Sequence, residues 1–240
     1  MKIAVISDVH GNRLALEAVL EDIARQKVDA TLNLGDLVSG PLEPNWTADL
    51  LMELDLPTVR GNHDRVLVDN PPDKLAPVDR FAQEQMEARH RIWINDMPAT
   101  LSLLDDVFMC HGTPRSDDDP WLDNWWDGRT VTVPDEATVM ARGEGFDFPV
   151  MLCGHTHMPK AVRLKDGRLI VNPGSVGLQM FLGSPDARYA TIEVRDGAYF
   201  PSFHAVPYDH EAAARMAEAN GFPRWRAALT TGWAGADGLF

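Results

Sequence analysis

An α/β fold is predicted by two features of the sequence. Apolar strand-like runs alternate with helical patterns through the first half, and short strands flank tight turns through the second. A third feature places the chemistry. One strand-like run after another closes on Asp, Asn or His, at the strand ends where open α/β sheets bind ligands.

The elements follow in order. Residues 2–7 (KIAVIS) form a continuous β-branched and apolar run, which predicts a strand buried on both faces. Asp8-Val9-His10-Gly11-Asn12 follows, and helical spacing of Leu14, Ala18 and Ile23 begins after Asn12, a fitting N-cap. Residues 29–34 predict a second strand, ended by Gly35-Asp36, and a helix over about 46–53. Residues 57–60 predict a third strand, ended by Gly61-Asn62-His63-Asp64. Such alternation implies parallel βαβ units. Pro71-Pro72 marks a loop before a helix over about 77–93. Residues 100–104 and 107–110 predict strands joined by a turn at Asp105-Asp106, the second running into His111-Gly112.

A helix is expected from Pro134, with Pro at its first position and acids in its first turn. The apolar run 149–152 leads into Cys153-Gly154-His155-Thr156-His157. Two hairpins come next, 161–164 with 168–171 and 187–195 with 199–206, around Lys165-Asp166-Gly167 and Asp196-Gly197. The loop Asn172-Pro173-Gly174-Ser175-Val176-Gly177 lies between them. A helix is expected over 209–219, and the order of the Gly/Ala-rich tail beyond Gly221 is left open.

The 240 residues, 45% of them hydrophobic, suffice for one sizeable core. A single domain over 1–240 is expected, with its core over 1–206 and a helix and tail over 207–240. No apolar stretch reaches the length of a membrane span. The N-terminal run is broken by Asp8 and His10, so it reads as a strand and not a signal peptide, which fits a cytoplasmic protein. Cys110 and Cys153 end apolar runs and read as core residues. The net charge of −14, without a basic track, disfavours general nucleic-acid binding. An anionic substrate would need some other positive charge, and bound metal ions would serve.

Collected, the polar strand ends are Asp8, His10, Asp36, Asn62, His63, His111, His155 and His157, with five of the eight histidines of the chain. Their O and N donors suit borderline divalent metals such as Mn, Fe, Zn, Co or Ni. The set is too large for one tetrahedral site and divides into two sites sharing a carboxylate. Each residue also has a plainer reading. Asp8 and Asp36 could cap the following helices, Asn62 could sit in a turn at positive φ, and His111 could be a satisfied histidine at the core edge.

D-x-H, G-D, G-N-H-D, H-G and G-H-T-H, in this order, resemble the calcineurin-like metallophosphoesterases, over about residues 2–177 and including the NPGSVG loop. The resemblance implies a four-layer sandwich of two mixed β-sheets flanked by helices. It implies a phosphoester hydrolase in which a metal-bridging hydroxide attacks phosphomono- or phosphodiesters. Asp8, His10 and His157 would bind a first ion and Asn62, His111 and His155 a second, with Asp36 bridging. His63 would act on the leaving group as general acid or stabilise the transition state, with Asp64 holding its ring. The expected cofactor is two divalent metal ions, and the expected partner a small phosphoester, with nucleotides among the candidates. The alternative is a catalytically inert interaction scaffold on the same fold, which the intact ligand motifs disfavour.

The segment 115–135 is the most individual stretch of the chain. Its three consecutive aspartates lack the spacing of an EF-hand and read as a solvated loop. Trp121, Trp125 and Trp126 would pack on the body, wall the cleft, where they could stack a planar leaving group, or form a dimer contact, with packing or the cleft favoured over the dimer.

Overall fold

Strict alternation of side chains along the strands builds two facing sheets. The computed structural model describes residues 1–103, 106–124, 131–235 and 239. In chain order the strands are β1 (Lys2–Ile6), β2 (Ala30–Asn33), β3 (Thr100–Leu103), β4 (Val107–Cys110), β5 (Val150–Leu152), β6 (Lys160–Arg163), β7 (Leu169–Asn172), β8 (Ala187–Arg195) and β9 (Ala198–Val206). Among the described residues they form a four-stranded sheet, β2-β1-β8-β9, and a five-stranded sheet, β3-β4-β5-β7-β6. Both are mixed: β1 pairs parallel with β2 and antiparallel with β8, and β4, β5 and β7 run parallel between two antiparallel edges.

Ile3, Val5, Val107, Met109, Val150, Leu152, Leu169, Val171, Ala190 and Ile192 point inward and form the core between the sheets. Their neighbours point outward, as the period of two requires. Ala4 and Ile6 meet Ala15, Leu16, Val19 and Ile23 of α1 (Arg13–Gln26). Phe108, Cys110, Met151 and Cys153 meet Trp121, Leu122 and Val139 on the opposite outer face. Both cysteines are free, buried core residues. The result is the expected stack of helices, sheet, sheet and helix.

The remaining helices are α2 (Pro44–Leu54), α3 (Asn62–Asp69), α4 (Pro77–Gln85), α5 (Ala88–Asn95), α6 (Glu136–Arg142), α7 (His210–Ala219) and α8 (Trp225–Thr231). Three details differ from expectation, and one that the sequence leaves open, the tail, includes a helix. The third strand shrinks to one bridge, Asn33 with Thr58, because the Arg60 amide turns away to the Pro98 carbonyl. The helix expected over 77–93 breaks into α4 and α5 where Met86 and Glu87 become extended. Helix α6 starts one residue after its cap, Asp135, so Pro134 lies outside it. The tail holds α8, whose Trp225 is fully buried. No helix among the described residues is long and apolar enough to cross a membrane.

Trp121 packs in the core, and its indole N–H donates to the Val139 carbonyl (3.0 Å). Trp125 and Trp126, with the cleft-wall role expected of them, lie outside the described residues, as does Asp105 of the expected turn.

Candidate metal centre

The parallel strands β1, β2, β4 and β5 deliver their C-terminal ends to one edge, and their loops are laced together there. The Asp8, His10 and Gly11 amides donate to the Gly35, Asp36 and Leu37 carbonyls (2.9–3.0 Å). The Gly154 amide donates to the His111 carbonyl (2.7 Å). The NPGSVG loop closes the set: the Gly177 amide and the Ser175 hydroxyl both donate to the Asp8 carbonyl (3.0 and 2.7 Å). A side chain on Gly61 would collide with the Asp36 carboxylate, so glycine is required where these loops touch.

The backbone is forced where these side chains turn inward. Asp8, His10, Asp36, His155 and His157 all have φ between 50° and 70°. Non-glycine residues seldom adopt this left-handed region, and such strain gathers at functional sites.

Two groups result. Asp8, His10 and His157 form one; Asp36, His111 and His155 form the other. All six are buried, and within each group the donor atoms lie within 4.8 Å of one another. Asn62, first residue of α3, joins the second group: its Oδ1 is 3.1 Å from His111 Nε2 and 3.0 Å from His155 Nδ1. Asp36 reaches toward both, its Oδ2 lying 3.2 Å from His111 Nε2 and 4.0 Å from His10 Nε2.

Tautomers are set by carbonyls behind the rings. His10 Nδ1–H donates to Ser39 O (2.6 Å), His157 Nδ1–H to Leu178 O (2.7 Å) and His111 Nδ1–H to Leu34 O (2.7 Å). His155 is reversed, with Nε2–H donating to Asp118 O (3.1 Å) and Nδ1 facing inward. In the neutral rings the inward nitrogens carry lone pairs. His10 Nε2 and His157 Nε2 then oppose each other at 3.1 Å, and buried Asp8 Oδ1, which has no hydrogen-bond partner among the described residues, is 3.3 Å from His157 Nε2. Acceptors converging without a proton between them repel unless a cation sits among them. The donor set therefore fits a divalent metal, with outward nitrogens anchored as metal-ligating histidines require.

The electrostatics agree for His10 and His155. Burial, reinforced by His157, pushes His10 down to about 4, and burial with His111 pushes His155 down to about 4, which keeps both rings neutral. Burial pushes Asp8 and Asp36 up, but neighbouring histidines outweigh it and leave both below the usual carboxylate range. Burial also opposes a charge on His111, yet Asp36 holds it at about 10. The two buried carboxylates draw positive charge into this pocket.

The partner of His63 differs from expectation. Asp64 accepts the Asp36, Leu37 and Gly61 amides (2.8, 2.9 and 3.0 Å), so its carboxylate holds two loops together and caps α3. His63 Nδ1 instead lies 2.9 Å from Asp79 Oδ1, on α4. Asp79 escaped the sequence reading because an acid just inside a helix that starts at Pro77 looks like an ordinary first-turn residue. The three remaining histidines stand elsewhere: His90 beside Asp49, His204 stacked on Tyr189 and His210 near Asp186.

The calcineurin-like phosphoesterase superfamily domain matches residues 1–197. The chain belongs to that superfamily. Among similar solved structures is a metallophosphoesterase from Sphaerobacter thermophilus, 29% identical, with a TM-score of 0.77, covering 97% of this chain and all of that one. A candidate diadenosine tetraphosphatase shares the fold at 20% identity and a TM-score of 0.56, over 84% of this chain and 93% of that one. An uncharacterised protein of Methanocaldococcus jannaschii is 26% identical over 93% of this chain and 94% of its own length.

Proposed function

We propose that this chain is a metal-dependent phosphoester hydrolase with two adjacent cation sites. Asp8, His10 and His157 hold one ion, Asn62, His111 and His155 hold the other, and Asp36 lies between them. One observation carries the reading: His10 Nε2 and His157 Nε2 face each other at 3.1 Å while both Nδ1 atoms are committed to backbone carbonyls. Two divalent ions held there would supply charge for the phosphoryl oxygens and lower the pKa of an attacking water.

The chain itself does the rest. The carbonyls of Ser39, Leu34, Leu178 and Asp118 fix four ring orientations before any substrate arrives. The substrate is a small anionic phosphoester. His63 stands edge-on to His10, with ring centroids 5.6 Å apart, at the margin of the first group. Burial pushes its imidazole down, but Asp36 and Asp79 outweigh that and hold it at about 9. A protonated His63 can stabilise charge on a departing oxygen or donate to it.

The test is a panel of phosphomonoesters and phosphodiesters, assayed on protein loaded with Mn²⁺ or Zn²⁺. Hydrolysis of at least one ester, lost with chelator and in His157→Ala, is expected. No turnover across the panel by protein shown to contain two ions would sink the proposal.

A further inference from the structure

Asp79 is 4% exposed and belongs to neither cation group. Among the described residues its one ion-pair partner is His63, and no Lys or Arg offsets its burial. A carboxylate so placed is costly unless each contact is made, so the contacts show what it is held for. Its Oδ1 meets His63 Nδ1 at 2.9 Å and also accepts the Ser39 hydroxyl. That hydroxyl is itself 3.3 Å from His63 Nδ1. The main chain of Ser39 meanwhile receives His10 Nδ1–H at 2.6 Å. One residue thus ties a ring of the first cation group to the carboxylate behind His63.

We infer that Asp79, seated by Ser39, is the positioning residue of His63. Resting on the role proposed above for His63, it holds Nδ1–H from behind so that the opposite edge of the ring keeps one orientation beside the cation pair. Helix α4 enters the reaction in this way without touching substrate. Asp64 on the same segment as His63 is already occupied by three amides, so a carboxylate had to come from a different helix.

The experiment compares Asp79→Ala, Asp79→Asn, Ser39→Ala, His63→Ala and the Asp79→Ala/His63→Ala pair. Each is assayed with p-nitrophenyl and phenyl esters of one phosphate type, and its ion content is measured. Loss of an acid or leaving-group stabiliser costs on the order of 10²-fold, and more for the poorer phenyl leaving group. His63→Ala should show that pattern. Asp79→Ala should show a weaker copy, about tenfold on the phenyl ester, with both ions retained. Asp79→Asn keeps an acceptor oxygen and should recover part of the loss. The double variant should be no slower than His63→Ala, because Asp79 acts through His63.

Ser39→Ala leaves the carboxylate in place and should fall in the same leaving-group-dependent direction by a smaller factor. It decides the matter if Asp79→Ala does not fold: an equal fall on both esters counts against the inference. A second readout is independent of turnover. In zinc-loaded protein the His63 Nδ1 proton should resonate far downfield, and Asp79→Ala should abolish that signal. Multiplicative losses in the double variant with a slowed His63→Ala would leave His63 its role and overturn that of Asp79. Full activity in His63→Ala would remove both.

Discussion

At the scale of single residues, five inward-facing side chains stand on left-handed backbone: Asp8, His10, Asp36, His155 and His157. Such conformations cost on the order of 1–3 kcal/mol each, so the surrounding loops must over-determine them. The two rings of the Gly154-flanked stretch also show opposite tautomers, His157 presenting Nε2 and His155 presenting Nδ1. They therefore address different groups although one residue separates them. His155→Ala and His157→Ala should each lower the metal content from two ions per chain to one, read by elemental analysis after dialysis. Loss of both ions in either variant, or of none, would refute separate sites. The polar ends themselves were legible in the sequence, because an apolar run that stops at Asp or His is visible without a structure. Asp79 was not, because only the fold reveals that a first-turn acid faces His63 and not solvent.

At the scale of elements, the segment 115–124 clamps the loop that carries His155 and His157. The Asp118 carbonyl takes His155 Nε2–H, and the Thr156 hydroxyl donates to Asp123 Oδ2 at 2.7 Å. Asp123, 1% exposed at its side chain, also pairs with Lys160 of β6. Arg142 of α6 donates to the Trp121 and Asp123 carbonyls, both at 2.9 Å, and Arg65 of α3 grips Asp117 at 2.7 and 2.9 Å. Three elements thus meet at one acidic stretch, which the sequence alone presents as a solvated loop. Asp123→Ala removes the carboxylate that pairs with the Lys160 ammonium and accepts the Thr156 hydroxyl, leaving Lys160, among the described residues, only the Leu122 carbonyl at 3.4 Å, and removing one member of a buried pair costs about 3–5 kcal/mol. With Lys160 18% exposed, a fall near the lower end, about 3 kcal/mol, is expected in urea unfolding. Asp123→Leu combined with Lys160→Met should recover much of it; if the double replacement is as unstable as the single one, the pair is not what the segment depends on. Strand identities were legible because residues 107–110 and 150–152 are short, uninterrupted apolar runs, as strands buried on both faces require. The break between α4 and α5 was not, since no Gly or Pro marks Met86 and Glu87. It is set by His90, whose Nδ1 accepts the Glu87 amide at 3.1 Å and whose Nε2 meets Asp49 of α2 at 2.7 Å.

At the scale of the whole molecule, the sheet stack sets the positions of the ligand-bearing loops and the C-terminal helices cover one flank of them. Leu42 and Leu178, from the two loops that supply the Ser39 and Leu178 carbonyls, share a core cluster with Val78 of α4, Ala213 and Ala217 of α7 and Trp225 of α8. Asn220 donates to the Pro41 carbonyl at 2.9 Å, and the Trp225 ring stands 6.5 Å from that of His10. The end of the chain is thus packed against the first cation group, although its Gly/Ala-rich composition gave no hint of it. Trp225→Ala empties a fully buried site and should cost about 3–5 kcal/mol in urea unfolding. The consequence for the candidate metal centre is asymmetric. His10 loses the wall beside its ring, while Asn62, His111 and His155 are held by α3, the Leu34 carbonyl just after β2 and the 115–124 segment. Dialysed Trp225→Ala should therefore keep one ion per chain, and adding His155→Ala should remove it. If the single variant keeps both ions as tightly as the parent, α8 supports the fold without supporting the site.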